Sequence, residues 1–307
     1  MKLIHAANEL TPGEQKVRLA IGVFDGVHLG HQQIIRQTIF DARQHGAISL
    51  VVTFDQHPNC VVAPDRVPSL IYSRLQKMRA IESLGADVLL EVPFDKKFSE
   101  KSGEVFIREL ARDLGKIHGI CVGADFVFGH KRSGDVALLK RLGAELNFQV
   151  HGHAAVALDG ELVSSTRIRE AIRAGDLDAA GQMLGRPYAI CGAVTAGDKI
   201  GRQLGFPTAN LDVTGLVLPP NGVYAGGAKW NGQFYRAALN IGLRPTVAAN
   251  EPQLRVEAHL LDFSGDLYGA ELEVEIGAKL RGEQRFASLS ELREQIARDV
   301  VAVRALA

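Results

Sequence analysis

Two histidines three residues apart, His28 and His31, stand in the string Phe-Asp-Gly-Val-His-Leu-Gly-His at residues 24–31. At this spacing in a first helical turn two imidazoles project to about the same side, and their N–H groups can grip adjacent phosphates of a nucleotide. The neighbouring residues fit that chemistry. Val17, Leu19, Ile21 and Val23 have the apolar content of a buried strand, Gly22, Gly26 and Gly30 allow a tight turn, and Ile34 and Ile35 open a helical apolar face. A helix start beside a glycine turn gathers unpaired N–H groups and the positive end of a helix dipole, which attract an anion. Taken singly, each histidine reads equally as a surface or capping residue; the odds shift because four constrained residue types, Phe24 and Asp25 among them, recur at fixed spacing after a strand. Neither G-x-x-x-x-G-K-[ST] nor a strand-linked G-x-G-x-x-G is present, so P-loop and dinucleotide-fold readings lack their marker.

A second phosphate-type segment is Ser-Ser-Thr-Arg-Ile-Arg, in which Ser164, Ser165 and Thr166 offer hydroxyls and Arg167 and Arg169 bring charge. As a local pattern it is an ordinary helix N-cap; its weight comes from pairing with the histidine turn. For Asp125, His130 and His57 (before Pro58), ligand contact and plain loop polarity both remain open. Further on, Gly197, Gly201 and Gly205 make a turn-rich loop that Pro207 stiffens, and Thr208 and Asn210 then present a hydroxyl and an amide oxygen. Hard oxygen donors beside phosphate suit Mg²⁺. In Arg-Val-Glu-Ala-His-Leu, strand alternation puts Val256, Ala258 and Leu260 on one side and Glu257 and His259 on the other. Glu257 is then either part of a solvated face or a general base in a cavity.

These residues need elements to hold them. Strands are expected at 17–23, 48–54, 88–92, 120–122 and, more weakly, 148–157, with helices near 30–45, 73–84, 102–115 and 133–145. Strand alternating with helix is the signature of a parallel α/β sheet, whose ligand crevice lies beyond the carboxyl ends of the strands, where the polar clusters fall. After a short helix at 177–184 the texture changes at Gly185–Tyr188, which places a domain boundary between 1–184 and 185–307. Short strands follow at 189–195, 222–230, 233–241, 255–262 and 271–276, with Asn231-Gly232 as a two-residue hairpin turn, and they predict a small antiparallel β-barrel. A C-terminal helix from Ser288, with Glu291 completing a capping box and Leu292, Ile296, Val300 and Val303 at helical spacing, is expected to pack across it.

In 307 residues Lys+Arg and Asp+Glu both number 35, which gives no basic footprint for nucleic acid. The opening residues lack a signal-peptide core and no run of about 18 apolar residues spans a bilayer, so a cytoplasmic, membrane-free protein is expected. Cys60, Cys121 and Cys191 are odd in number and far apart, as expected of reduced, mostly buried thiols.

The histidine string resembles the H-x-G-H motif of α/β nucleotidyltransferases. The whole chain resembles the bacterial bifunctional riboflavin kinase/FMN adenylyltransferases, or FAD synthetases. The match runs through FDGVHLGH (24–31), TFDQHP (53–58), GADFVFG (123–129), SSTRIR (164–169), GRQLGFPTAN (201–210), NGVYA (221–225), NIGLRPT (240–246), VEAHLLDFSGDLYG (256–269) and LRGEQRF (280–286). The resemblance implies a nucleotidyltransferase domain that moves AMP from ATP to FMN, giving FAD and pyrophosphate, and a six-stranded kinase barrel that phosphorylates riboflavin. It assigns Gly22, Phe24, Asp25, Gly26, His28, Gly30, His31, Ser164, Ser165, Thr166 and Arg169 to ATP and its phosphates, with Asp125 on the adenosine side. His57 and Pro58 fall on the flavin side. In the kinase half it assigns the loop at Gly197, Gly201, Gly205 and Pro207 to ATP, Thr208 and Asn210 to Mg²⁺ and ATP, and Glu257 to the catalytic base. Gln56, Val127 and Val247 depart from the family's usual Pro, basic residue and Phe, on loops where they would alter affinity and leave the reaction types unchanged. A nucleotidyltransferase of other specificity with an accessory barrel, and a non-catalytic flavin carrier, are the competing readings; the Thr208-to-Glu257 half disfavours the first and the intact His28, His31, Asn210 and Glu257 disfavour the second.

Overall fold

A computed structural model of the chain describes residues 1–11, 13, 15–197, 200–244 and 253–306. It divides into two compact units, Met1–Pro68 with Arg74–Ser165, and Ser69–Ser73 with Thr166–Ala307. The departure at Val247 lies outside the described residues.

The first unit is built on six parallel strands: β1 (Lys2–Ile4), β2 (Val17–Ile21), β3 (Ile48–Phe54), β4 (Val88–Val92), β5 (Ile117–Gly123) and β6 (Gln149–His153), in the order β1-β4-β3-β2-β5-β6. Parallel neighbours need crossovers, supplied by α1 (Leu29–Gln44), α2 (Asn59–Val62), α3 (Arg74–Ser83), α4 (Lys96–Ser99), α5 (Gly103–Leu114) and α6 (Val136–Leu146). α5 shows how the sequence sets such a helix. Ser102 Oγ accepts the Val105 N–H at its start, Phe106, Ile107, Leu110 and Leu114 form the buried stripe, and Gly115 ends it at φ 73°. Every residue of β2 is buried, because helices cover both faces of a parallel sheet. The edge strand β1 was not legible in the sequence, being three residues long. The strand expected at 120–122 extends to both sides, and that expected at 148–157 stops at His153, followed by a two-residue hairpin, β7 (Ala157–Leu158) and β8 (Glu161–Leu162). Strand order reverses around β2, which has β3 on one side and β5 on the other. The crevice of an open parallel sheet lies at such a reversal.

α7 (Ser165–Ala174) begins at the division, and α8 (Leu177–Leu184) is grouped with the second unit. That unit contains a closed antiparallel barrel of β9 (Ala189–Thr195), β10 (Ala209–Leu211), β11 (Gly222–Trp230), β12 (Gln233–Arg244), β13 (Gln253–Leu260) and β14 (Glu271–Arg281), in the order β10-β13-β12-β11-β14-β9. Five of the six strands were expected from alternation. β10 is too short to alternate visibly, yet it closes the ring by pairing with both β9 and β13. Asn231 and Gly232 both have positive φ between paired Trp230 and Gln233, as the hairpin reading requires. A short helix α9 (Ile200–Gln203) sits in the glycine loop, and α10 (Leu289–Ala305) lies on the barrel with Val303 packed against Ala225 and Leu261. Ser288 caps α10 through the Glu291 N–H, but Glu291 accepts from Ala287, one residue before the cap, so the capping box is displaced by one. Cys121 and Cys191 are buried, and Cys60 is exposed, because α2 is a single turn with no buried residue.

Candidate active sites

The turn after β2 is under backbone strain. Phe24 and Val27 occupy positive φ (54° and 40°) on either side of Gly26 (79°), an unfavourable region for a β-branched residue, and both side chains are buried. Surrounding bonds hold the turn: Thr53 Oγ1 donates to Val23 O at 3.0 Å, Gln32 Nε2 to Val27 O at 3.0 Å, and Ser165 Oγ to Asp25 O at 3.0 Å. His28 is the N-cap of α1, its Nδ1 accepting the His31 N–H at 3.4 Å, so its ring proton resides on Nε2. Gly30 makes this possible, since a Cβ there would stand 3.2 Å from the His28 ring. The His28 and His31 rings stack at 3.6 Å, and Phe24 meets His31 edge-on at 5.2 Å. Burial first, and the adjacent His28 second, hold the His31 imidazole well below its ordinary pKa. Its Nδ1 is buried with no hydrogen-bond partner among the described residues. A neutral, preorganised ring with an unsatisfied nitrogen at a helix N-terminus is suited to a phosphate oxygen.

Of the other expected residues in this unit, His57 accepts the Asn59 N–H on Nδ1 at 3.1 Å, with Pro58 starting α2 at the end of β3. Asp125 and Val127 are exposed on the loop after β5, and Gln56 donates to Phe94 O. Thr166 and Arg169 are grouped with the second unit, where buried Arg169 donates from Nε to Ser69 O at 2.7 Å. Two features escaped the sequence reading. Phe54, Phe94, Phe98, Phe106, Phe128 and Phe126 form a row of successive ring contacts, 5.1 to 6.4 Å between centroids, that links the segments at the carboxyl ends of β3, β4 and β5 through Phe98 of α4 and Phe106 of α5. Lys77 on α3 is buried and donates to Phe54 O at 2.7 Å; burial lowers its pKa against the opposing pull of Glu91 and Asp25. Only the aromatic residues after strand ends gave a signal that could have found the row.

In the second unit the register of the barrel assembles the other constellation. Asn210 on β10 lies opposite Glu257 on β13, which lies opposite Asn240 on β12. All three line a cavity of about 390 Å³ on the outer side of these strands, shared with Thr208 and with Phe286 and Ile296 near and on α10. Asn240 was missed because its motif was read as a whole and its facing was not assigned. Thr208 also lines a second cavity of about 290 Å³ bordered by Arg202, Phe263 and Tyr268, so this residue borders both spaces. Gly197 passes so close to Asn210 that a Cβ would stand 2.3 Å from its Nδ2, and Gly205 turns at φ 90° before Phe206 and Pro207. The Asn210 Oδ1 is buried without a hydrogen-bond partner among the described residues. An orphaned hard oxygen on a residue that shares its cavity with Thr208 fits Mg²⁺.

Comparison with known proteins joins the two constellations. The FAD synthetase family model matches residues 11–167 and the riboflavin kinase family model residues 184–307. The bifunctional riboflavin kinase/FMN adenylyltransferase of Escherichia coli (strain K12) is 39% identical over 99% of this chain and 97% of its own length. The enzyme of the same description from Pseudomonas fluorescens is 40% identical, covering 100% and 98%, and that from Bacillus subtilis (strain 168) 37%, covering 97% and 96%. The chain belongs to the bifunctional riboflavin kinase/FMN adenylyltransferase family. It carries both activities of that family, phosphorylating riboflavin to FMN and adenylylating FMN to FAD, with its domains in that family's order. A Streptococcus pneumoniae crystal structure described as a macrolide-efflux protein superposes with TM-score 0.83 at 28% identity over 99% of both chains. Among the described residues of this FAD synthetase no helix is long and apolar enough to cross a membrane.

Proposed function

We propose that the histidine turn is the adenylyl-transfer site and that the cavity beneath α10 is the riboflavin kinase site. The observation that carries the kinase assignment is the row Asn210, Glu257, Asn240 on three neighbouring strands facing one cavity. A ribityl hydroxyl in that cavity gives up its proton to Glu257 as its oxygen attacks the γ-phosphorus of ATP, the bond to the bridging oxygen breaks and ADP leaves. Thr208 and Asn210 would hold Mg²⁺, which neutralises phosphate charge when bound. Thr208, shared by both cavities, supports flavin lying against Phe286 and Ile296 and nucleotide beside Phe263 and Tyr268, with the loop at Gly197, Gly201, Gly205 and Pro207 along the phosphates.

In the transferase, FMN already carries its nucleophile, so no strong base is required. A phosphate oxygen of FMN attacks the α-phosphorus of ATP, and the bond to pyrophosphate breaks. His28, His31 and the N–H groups opening α1 stabilise the charge on the leaving group. Ser164 and Ser165 complete the phosphate side; the same role for Thr166 and Arg169 rests on their motif, and Asp125 takes the adenosine side. His57, Pro58 and the phenylalanine row supply apolar surface for the isoalloxazine ring. The functional boundary is placed between 1–184 and 185–307, supported by the kinase family match starting at residue 184. Equal counts of acidic and basic residues support small-molecule partners without nucleic acid, and the free thiols of Cys60, Cys121 and Cys191 support a cytoplasmic setting.

The test is chromatographic product analysis of riboflavin with ATP, with and without Mg²⁺, for the native chain and for Glu257→Gln. The variant should lose kinase turnover by about 10²–10⁴ and still convert supplied FMN to FAD. Undiminished FMN formation by the variant would return Glu257 to a solvated strand face.

A further inference from the structure

His259 lies two residues beyond Glu257 on β13 and therefore shares the cavity face with the carboxylate. Its Nδ1 is 2.8 Å from the carbonyl oxygen of Pro207, and its ring meets Phe206 edge to face, with centroids 5.6 Å apart and planes at 87°. A carbonyl oxygen only accepts, so Nδ1 carries the proton and donates it. In the barrel register the residue opposite His259 is Ala238, whose methyl group cannot compete for that bond.

The consequence is torsional. The pyrrolidine ring fixes φ of Pro207, and the bond to the Pro207 carbonyl fixes the plane of the peptide that carries the Thr208 N–H. Both soft torsions before Thr208 are thereby set, one by covalent structure and one by His259. The turn is also tied at its other end, where the Phe206 N–H donates to Gly201 O at 2.7 Å. We propose that His259 is a positioning residue of the kinase, linking the strand that carries Glu257 to the turn that presents Thr208. It keeps base and phosphate-binding hydroxyl at a fixed separation while the glycine loop admits nucleotide. The inference rests on the roles given above to Glu257 and Thr208.

The experiment compares His259→Ala, His259→Asn and His259→Phe in the full chain, measuring FMN formation against ATP and against riboflavin, and FAD formation from supplied FMN. Loss of a group that orients a ligand-binding residue typically costs about 10–100-fold. His259→Ala should lower kcat/KM for ATP by that factor, with KM for riboflavin and the rate of FAD formation unchanged. The Asn carboxamide N–H can reach the same carbonyl and should restore most of the loss, whereas Phe keeps the edge contact without a donor and should stay as impaired as Ala. Native kinetics in His259→Ala overturn the proposal. So does rescue by Phe but not Asn, which would make ring packing the cause, or a KM for riboflavin raised as much as that for ATP, which would make the effect a general one on the barrel. If Glu257→Gln retains full kinase activity, the assignment of the base fails instead, and that outcome is read without the His259 series.

Discussion

At the scale of the residue, the turn after β2 holds two stacked imidazoles in different settings. His28 is oriented by the helix it caps, and His31 is held neutral by burial. Replacing both by Ala should abolish FAD formation while riboflavin phosphorylation persists, since loss of one preorganised donor typically costs about 10²–10³ in rate. Coupled measurement of FMN and FAD decides it; equal loss of both products would mean that the histidines support folding. The same burial has a pH signature. The folded-state pKa values of His31, His118 and His153 lie below the reference 6.5, desolvation being the first cause in each. On acidification below about 6.5 the unfolded chain takes up protons before the folded one, so stability falls towards the folded pKa values and is unaffected by these groups above 6.5. Urea midpoints at pH 7.5 and 5.5 should show the drop, and His118→Gln with His153→Gln should reduce it; an unchanged pH dependence in that variant would remove these rings as the cause.

At the scale of the element, α10 forms one wall of the cavity proposed for the kinase and is fastened by a largely buried pair. Arg281 at the end of β14 donates from Nε and Nη2 to both oxygens of Asp299, at 2.8 to 3.1 Å, with the two side chains 16% and 8% exposed. Gln295 adds a bond to Asp299 at 2.8 Å. Removing one partner of such a pair leaves the other charge uncompensated, at a cost of about 3 kcal/mol. Asp299→Ala should therefore lower the unfolding midpoint of the barrel and weaken riboflavin binding, with FAD formation from supplied FMN retained. Calorimetry and riboflavin titration check this; native affinity in a destabilised variant would show that α10 caps the barrel without shaping the flavin site.

At the scale of the whole molecule, the start of the kinase family match at residue 184 and the packing division after Ser165 fall at different residues. The barrel unit draws in residues 69–73: Leu70 N–H donates to Gly215 O at 2.7 Å, Val217 N–H to Leu70 O at 2.8 Å, and Ile71 and Tyr72 are buried. Arg186 donates to the Tyr72 hydroxyl at 2.8 Å and lies over its ring, while Met183 and Leu184 of α8 are buried. A fragment of residues 186–307 retains the closed barrel and α10, so it should make FMN. Both it and a 166–307 fragment lack the strap, but it also lacks α7 and α8, so its Tm should lie below that of residues 166–307, by about 4 °C for each kcal/mol of packing lost. A folded 186–307 fragment with no kinase activity would show that the site depends on the rest of the chain.

Both candidate motifs were legible in the sequence because each is a local device: a strand, a glycine turn and a helix N-terminus around His28 and His31, and a stiffened loop around Thr208 and Asn210. Sheet and barrel were legible from hydrophobic period and turn residues, since those reflect local backbone geometry. Three things required tertiary structure. Alternation could place Glu257 on a face but could not say what that face meets; the register of β10, β13 and β12 put Asn210 and Asn240 beside it. The phenylalanine row joins three strand ends through residues of α4 and α5, and no local pattern encodes such contacts. The strap at 69–73 reads as loop because its hydrogen-bond partners lie more than a hundred residues away, and pairing over that distance is fixed only when the chain has folded around it.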